Sequence, residues 1–467
     1  MPYQSSRGFE RARRLGHVPT ANNAEIVAKL GLYRHPDDDD AGIPIEPLFI
    51  RRDQIDGPDR PSAGFAIAID GSNYEYTEAF DRFPSTRALY FQIAGVFCDM
   101  RTMLNQSGPF VSPAQVADAI EQDVIPGFLP SSYLEHAVYS DPVEAFRAEL
   151  FDFFVSKQVN DRSLAAILLR VQRQATAEDA AAARDSMIRV RRCPNPDCGT
   201  VNGESARDVL VPALAVGECP SCQGRVWPTD VLRLHEAFNP EGSNLEVLGR
   251  AMMAIEHLVL VGVALTILDD APQILSECAF IADGSLAQFG EVAPLRLGLL
   301  GTWRVIGNDL TLRGLAPPVV LGIEKTGFAA DHLLALRQRI PPGTLMRLPD
   351  EYLTEHLRAR SWKETYYGRK FFYVSEAGQA LVITVPPLGA DFSPYPSDAA
   401  ADRSDPLHYP TLKRTLLLLD QIGTRLYDNA LIPVALAHSF AAYPLTTSTQ
   451  VLRLLTEQTL GWHTTRN

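Results

Sequence analysis

Two short stretches decide how this chain folds: Phe65-Ala-Ile-Ala-Ile-Asp-Gly-Ser72 and Cys278-Ala-Phe-Ile-Ala-Asp-Gly-Ser285. Each is an apolar run of strand length followed by Asp-Gly-Ser, which reads as a buried strand stopping at a turn. In an α/β sheet, ligands gather at the carboxyl ends of strands, and a glycine beside the acid lets backbone or substrate approach closely. Asp70 and Asp283, far apart in the chain but alike in context, are therefore candidate ligands for a divalent cation that activates water against a phosphoryl group. Read locally, each Asp-Gly is equally a turn signal and nothing more.

Around these stretches the text alternates between strand and helix. Further strands are expected at Ala88–Cys98, at Val319–Ile323 before Glu324-Lys325, and at Lys370–Val385, where Glu376-Ala-Gly-Gln suggests a hairpin turn. Helices are expected over Pro142–Val155, Arg162–Ser186, Thr411–Tyr427 and Thr449–Leu460. The pattern predicts an α/β fold with a mixed-sheet core. Residues 1–60 read as an N-terminal arm and linker, with Arg7, Arg11, Arg13 and Arg14, an apolar patch at Ile26–Leu32 and the acidic run Asp37–Asp40. The core is expected in two parts, 61–114 and 245–467, split by a helical insertion over 115–244.

Within that insertion, Cys193-Pro-Asn-Pro-Asp-Cys198 and Cys219-Pro-Ser-Cys222 form two knuckles with 20 residues between them. Four thiolates so spaced can close a tetrahedral shell around Zn2+, so a structural zinc ribbon is expected over about 190–228. A closed four-sulfur site folds its surroundings rather than catalysing. Arg189, Arg191 and Arg192 precede the first knuckle, as a phosphate-contacting or simply solvated face. Cys98 and Cys278 stand in apolar strand text and are expected in the core.

The chain has 467 residues, 46% hydrophobic and 21% charged, within the range of globular proteins. Six cysteines are too few for a disulfide scaffold, and the start carries no apolar stretch of signal-peptide type, so a cytoplasmic location is expected. The most apolar segment, Leu258–Leu268, is about half the roughly 20 residues of a membrane span, so no membrane association is expected. With 43 Lys plus Arg against 56 Asp plus Glu, the net charge of −13 opposes long-range attraction of free duplex DNA.

Five segments, in order, resemble the NurA nuclease family, which works beside the hexameric HerA translocase. They are Ala68-Ile-Asp-Gly-Ser72, Ile281-Ala-Asp-Gly-Ser-Leu286, Val320-Leu-Gly-Ile-Glu-Lys-Thr326, Tyr366-Tyr-Gly-Arg-Lys-Phe-Phe-Tyr373 and Ala435-Leu-Ala-His438. The resemblance covers about 60–110 and 245–460 and leaves the insertion out. It implies an RNase H-like core that binds Mn2+ or Mg2+ and hydrolyses DNA phosphodiesters, as a homodimer coupled to a HerA-like ATPase in DNA end processing or anti-phage defence. It also implies metal-ligand roles for Asp70 and Asp283, joined by a glutamate on the preceding helix. Glu256 is the best match, with Glu246 and Glu277 as rivals. Lys325 is implied at the scissile phosphate or leaving oxygen, and His438 as a ligand or proton carrier; locally, each also reads as a strand-end lysine and a core histidine. The family's tyrosine eight residues before that histidine is Ala430 here, with Tyr427 as a substitute.

Arg358, Arg360, Lys363, Arg369 and Lys370, interleaved with Trp362, Tyr366, Tyr367 and Phe371, are the expected DNA-binding stripe, since cations follow phosphates and rings stack on unpaired bases. The competing reading puts the rings in a strand core. The alternative to a nuclease is a non-catalytic adaptor that grips DNA or a partner through its zinc ribbon; an adaptor has no need of the acid cluster. A phosphatase or RNA-directed hydrolase would use the same metal chemistry.

Overall fold

The computed structural model describes residues 4–5, 8–9, 23–33, 44–57, 63–77, 85–104, 119–199, 208–357, 362–388, 394–395, 402–423, 431–447 and 449–459. The chain divides into two compact units, residues 1–47 and 48–467. In the first, Gln4–Ser5 pairs antiparallel with Gly8–Phe9. The helix Ala24–Leu30 is capped by Asn23, whose side chain accepts from the amides of Glu25 and Ile26, and it buries none of its residues.

The second unit is built on a nine-stranded mixed sheet: β1 (Phe49–Arg51), β2 (Phe65–Thr77), β3 (Arg87–Asp99), β4 (Ile120–Pro130), β5 (Cys278–Asp283), β6 (Val319–Glu324), β7 (Thr344–Met346), β8 (Arg369–Val374) and β9 (Ala380–Val385). Their spatial order is β1-β7-β8-β9-β6-β5-β2-β3-β4. β2, β3 and β4 form a long antiparallel meander. β5 runs parallel to both β2 and β6, and the remaining strands are antiparallel.

Period-two alternation sends the central strands' side chains into two separate cores. Ile67, Ile69, Phe280 and Ala282 face one, and Ala66, Ala68, Ala279 and Ile281 the other. The first is covered by α1 (Pro142–Ser156), α2 (Leu164–Gln172), α3 (Leu245–Asp270) and α4 (Leu295–Leu312), and includes the cysteine ribbon. The second is covered by α5 (Leu412–Ile422) and α6 (Ile432–Thr447). Among the described residues, α3 is the one helix long and apolar enough to cross a membrane, and 72% of its apolar window is buried inside the fold, so it serves as a core helix.

Three expectations need correction. The strand holding Asp70 does not stop there: β2 continues through Gly71 and Ser72 to Thr77. What ends at Ile69 is its parallel partner, since the ladder to β5 closes with Ala282 opposite Ile69. Beyond that point β2 is flanked by β3 alone, and its polar text reflects a half-open ribbon. Second, the insertion begins later than residue 115, because Ile120–Pro130 is the sheet's edge strand; its exposed Glu121, Gln122 and Asp123, with Pro126, make a protected edge that reads as a loop. Third, Phe49–Arg51, expected in the arm, pairs with β7 at the opposite edge.

Candidate active site

Register explains why the two aspartates meet. Ala282 lies opposite Ile69 on parallel strands, so the next residue on each, Asp283 and Asp70, emerges on the same face at a strand separation of about 4.8 Å. That face is the one covered by α6, which packs on β2 and β3 and brings His438 over Asp70. His438 Nδ1 lies 2.7 Å from Asp70 Oδ2. One ligand atom from each of Asp70, Asp283 and His438 can be chosen so that all lie within 4.8 Å of one another. Lys325, just after β6, donates to Asp283 Oδ2 at 2.8 Å.

Glu256 approaches from the opposite face. It sits mid-way along α3, outside the Asp70–Asp283–His438 trio, and reaches the sheet where Gly71 leaves room: a β-carbon at Gly71 would stand 2.4 Å from Glu256 Oε1. Burial, then the charges of Asp70 and Asp283, raise its carboxyl well above the ordinary range against the Gly71 amide. Asp70 is raised by burial and by Asp283, with His438 opposing. Three carboxyl groups crowded so that two resist ionisation are what a divalent cation relieves, and the carboxylate oxygens among the ligands suit Mn2+ or Mg2+. Of the two rival glutamates, Glu246 pairs with Arg250 and Glu277 with Arg101.

Beside Asp283 lies a buried polar cluster that the sequence reading left out. Ser285 Oγ donates to Glu324 Oε1 at 2.5 Å, and Lys370 Nζ donates to the Glu324 carboxylate at 2.5 Å. Tyr366 Oη lies 3.4 Å from Ser285 Oγ and 3.2 Å from Lys370 Nζ. The ammonium also stands 4.6 Å from the Trp362 ring centroid and 5.1 Å from that of Tyr366. Glu324 was visible only as the acid before Lys325; nothing local marks its partner 46 residues on.

The expected DNA-binding stripe is corrected by this packing. Arg369 and Lys370 are 0% and 1% exposed, because every residue of β8 is buried. Arg369 is held by Asp350 and by the carbonyls of Leu348 and Pro394. Tyr367 is buried against His257, and Tyr366 is 6% exposed. None of these side chains offers a face to a phosphate backbone. Lys363 is exposed, while Arg358 and Arg360 lie outside the described residues, as do Tyr427 and Ala430.

The cysteines meet as two knuckles. Cys193 Sγ lies 3.7 Å from Cys222 Sγ, and Cys198 Sγ lies 3.7 Å from Cys219 Sγ. Tetrahedral zinc with Zn–S bonds of about 2.3 Å requires sulfur–sulfur edges of about 3.8 Å, so the four side chains fit the ion. Burial opposes a thiolate at Cys219, while the amides of Cys222 and Ser221 and then the sulfurs of Cys193 and Cys198 lower its pKa. Arg189 and Arg191, one candidate phosphate contact, are engaged by Asp179, and Arg189 also by Asp208. The ribbon docks on α1 through Arg225–Glu144 and Arg147–Asp230.

Comparison with protein-family models, with curated proteins and with solved structures finds no match to this chain.

Proposed function

We propose that this protein is a divalent-metal-dependent DNA nuclease, with Asp70, Asp283 and His438 holding Mn2+ or Mg2+ and Glu256 completing the site. The observation that carries this reading is the side-by-side placement of Asp70 and Asp283 on parallel strands under His438. A cation there supplies a polarised phosphodiester and an activated water. Asp70 and Asp283 would orient the ion, His438 would help hold it or carry a proton, and Lys325 would stand where charge develops on a phosphate oxygen. The resemblance of five ordered segments to NurA supports DNA as the substrate. A three-stranded antiparallel meander leading into parallel strands supports an RNase H-like core.

The same reading extends to the cell: a cytoplasmic homodimer that receives DNA from a HerA-like hexameric ATPase, which would offset the repulsion of a chain carrying −13. Co-purification and size measurement with such an ATPase test the partner. Incubation of single- and double-stranded DNA with the protein and Mn2+, with and without the ATPase, tests the activity. Cleavage that survives Asp70→Asn and Asp283→Asn unchanged would remove the mechanism, because an amide lacks the carboxylate's charge.

A further inference from the structure

With Tyr366 and Lys370 inside the fold, a different aromatic residue is exposed on the loop that follows Asp283. Phe289 follows Asp283 by six residues and is 43% exposed. A single exposed phenylalanine is ordinary in itself. This one is held. Its ring stands edge-on to that of Tyr366, with centroids 5.8 Å apart and planes at 82°. Tyr366 is in turn fixed by Ser285 and Lys370, and its ring packs on Trp362 at 5.2 Å.

The loop carrying Phe289 is zipped to the same segment through its backbone. Tyr367 N donates to Leu286 O at 2.9 Å, and Gln288 N donates to Thr365 O at 2.9 Å. A flat apolar ring is thus presented to solvent on a rigid loop that starts at Asp283. Ordered rings of this kind bind at low entropic cost, because little freedom remains to be lost.

We propose that Phe289 is a substrate-positioning residue that stacks on an unpaired nucleobase near the phosphodiester held at Asp70 and Asp283, an inference that rests on the nuclease reading above. The buried Lys370–Glu324–Ser285–Tyr366 cluster then serves as the brace for this platform. Stacking on one ring is sequence-tolerant, since every base has a π-face. The nucleotide at this point must be free of its complementary partner to present that face.

The test uses the full chain in low salt without added Mn2+ or Mg2+, and fluorescence anisotropy with two labelled probes. One is oligothymidylate, the other a length-matched strand with the same phosphates whose central nucleotides are abasic. Wild type should prefer the thymidylate by about tenfold. Phe289→Ala should abolish that preference while retaining the residual, phosphate-driven binding, Phe289→Trp should keep it, and Phe128→Ala, an exposed phenylalanine on the edge strand β4, should leave it intact. Equal binding of the two probes by wild type, or a preference that survives Phe289→Ala, overturns the stacking role while leaving the nuclease reading standing. Failure of wild type to bind either strand also overturns the stacking role, while the nuclease reading stands or falls separately on cleavage by Asp70→Asn and Asp283→Asn.

Discussion

Asp70 and Asp283 are register neighbours: the parallel ladder between their strands ends with Ile69 opposite Ala282, one residue short of both acids. Two like charges on adjacent strands, with a third carboxyl approaching over Gly71, are costly without a cation.

Gly71 is where Glu256 gains access. A methyl group there would stand 2.4 Å from Glu256 Oε1, 2.7 Å from Met252 Cε and 2.9 Å from Ile93 Cδ1. Gly71→Ala should cost about 1–3 kcal/mol of stability through overpacking. DNA cleavage should fall about 100-fold, as expected of a roughly 1 Å displacement of a catalytic group. Thermal melts alongside cleavage rates separate the two effects; an active Gly71→Ala would place Glu256 outside the machinery.

Crowded acids also set a pH dependence. Raised carboxyl pKa values at Asp70 and Glu256 mean that the folded state holds protons the unfolded chain has released. Their contribution without divalent metal is therefore full at low pH and lost as pH rises through the folded values. The added stability from Mn2+ should grow over the same interval. Melting temperatures with and without Mn2+ across pH check this, and Asp283→Asn should flatten the metal-free slope.

His257 acts in the opposite direction. Burial brings its imidazole down to about 4, so it stays neutral inside the fold while an unfolded chain would protonate it below about 6.5. Stability should fall as pH drops from about 6.5 toward 4, by about 3 kcal/mol from this group. His257→Asn should be less stable at neutral pH but shallower on that acid limb, by chemical denaturation at several pH values.

Lys370 and Glu324 form a buried pair. Lys370→Met alone leaves the Glu324 carboxylate uncompensated and should cost about 3–5 kcal/mol. Lys370→Met with Glu324→Gln should recover a large part of that loss. Strictly additive losses in the double-mutant cycle would mean the two side chains are not coupled.

Zinc should be held at one ion per chain by the four cysteines. Cys198→Ser or Cys219→Ser should remove it and lower the melting temperature, because Val226, Leu232 and Leu234 beside the ribbon share one hydrophobic cluster with Val247 and Leu248 of α3. Metal analysis and thermal melts report both effects.

Much of this arrangement was legible in the sequence, in specific ways. The apolar runs before Asp70 and Asp283 give the central strands, and cysteine spacing brings out the two knuckles because thiolate pairs have few other uses. Edge strands were not legible: β4 carries Glu121, Gln122 and Asp123, and β1 is three residues long, so neither shows a buried face. The stripe around Arg369 and Lys370 misled for a related reason. Charge signals exposure only when no partner waits inside, and their partners Asp350 and Glu324 come from distant segments. Phe289 carried no local signal at all; its meaning comes from the ring of Tyr366 behind it.

The most direct measurement is Mn2+ binding followed by the electron paramagnetic resonance signal of the free ion. Wild type should deplete that signal at stoichiometric protein, and Asp70→Asn and Asp283→Asn should each restore it while remaining folded. Equal depletion by all three proteins would mean that these two aspartates do not hold the cation.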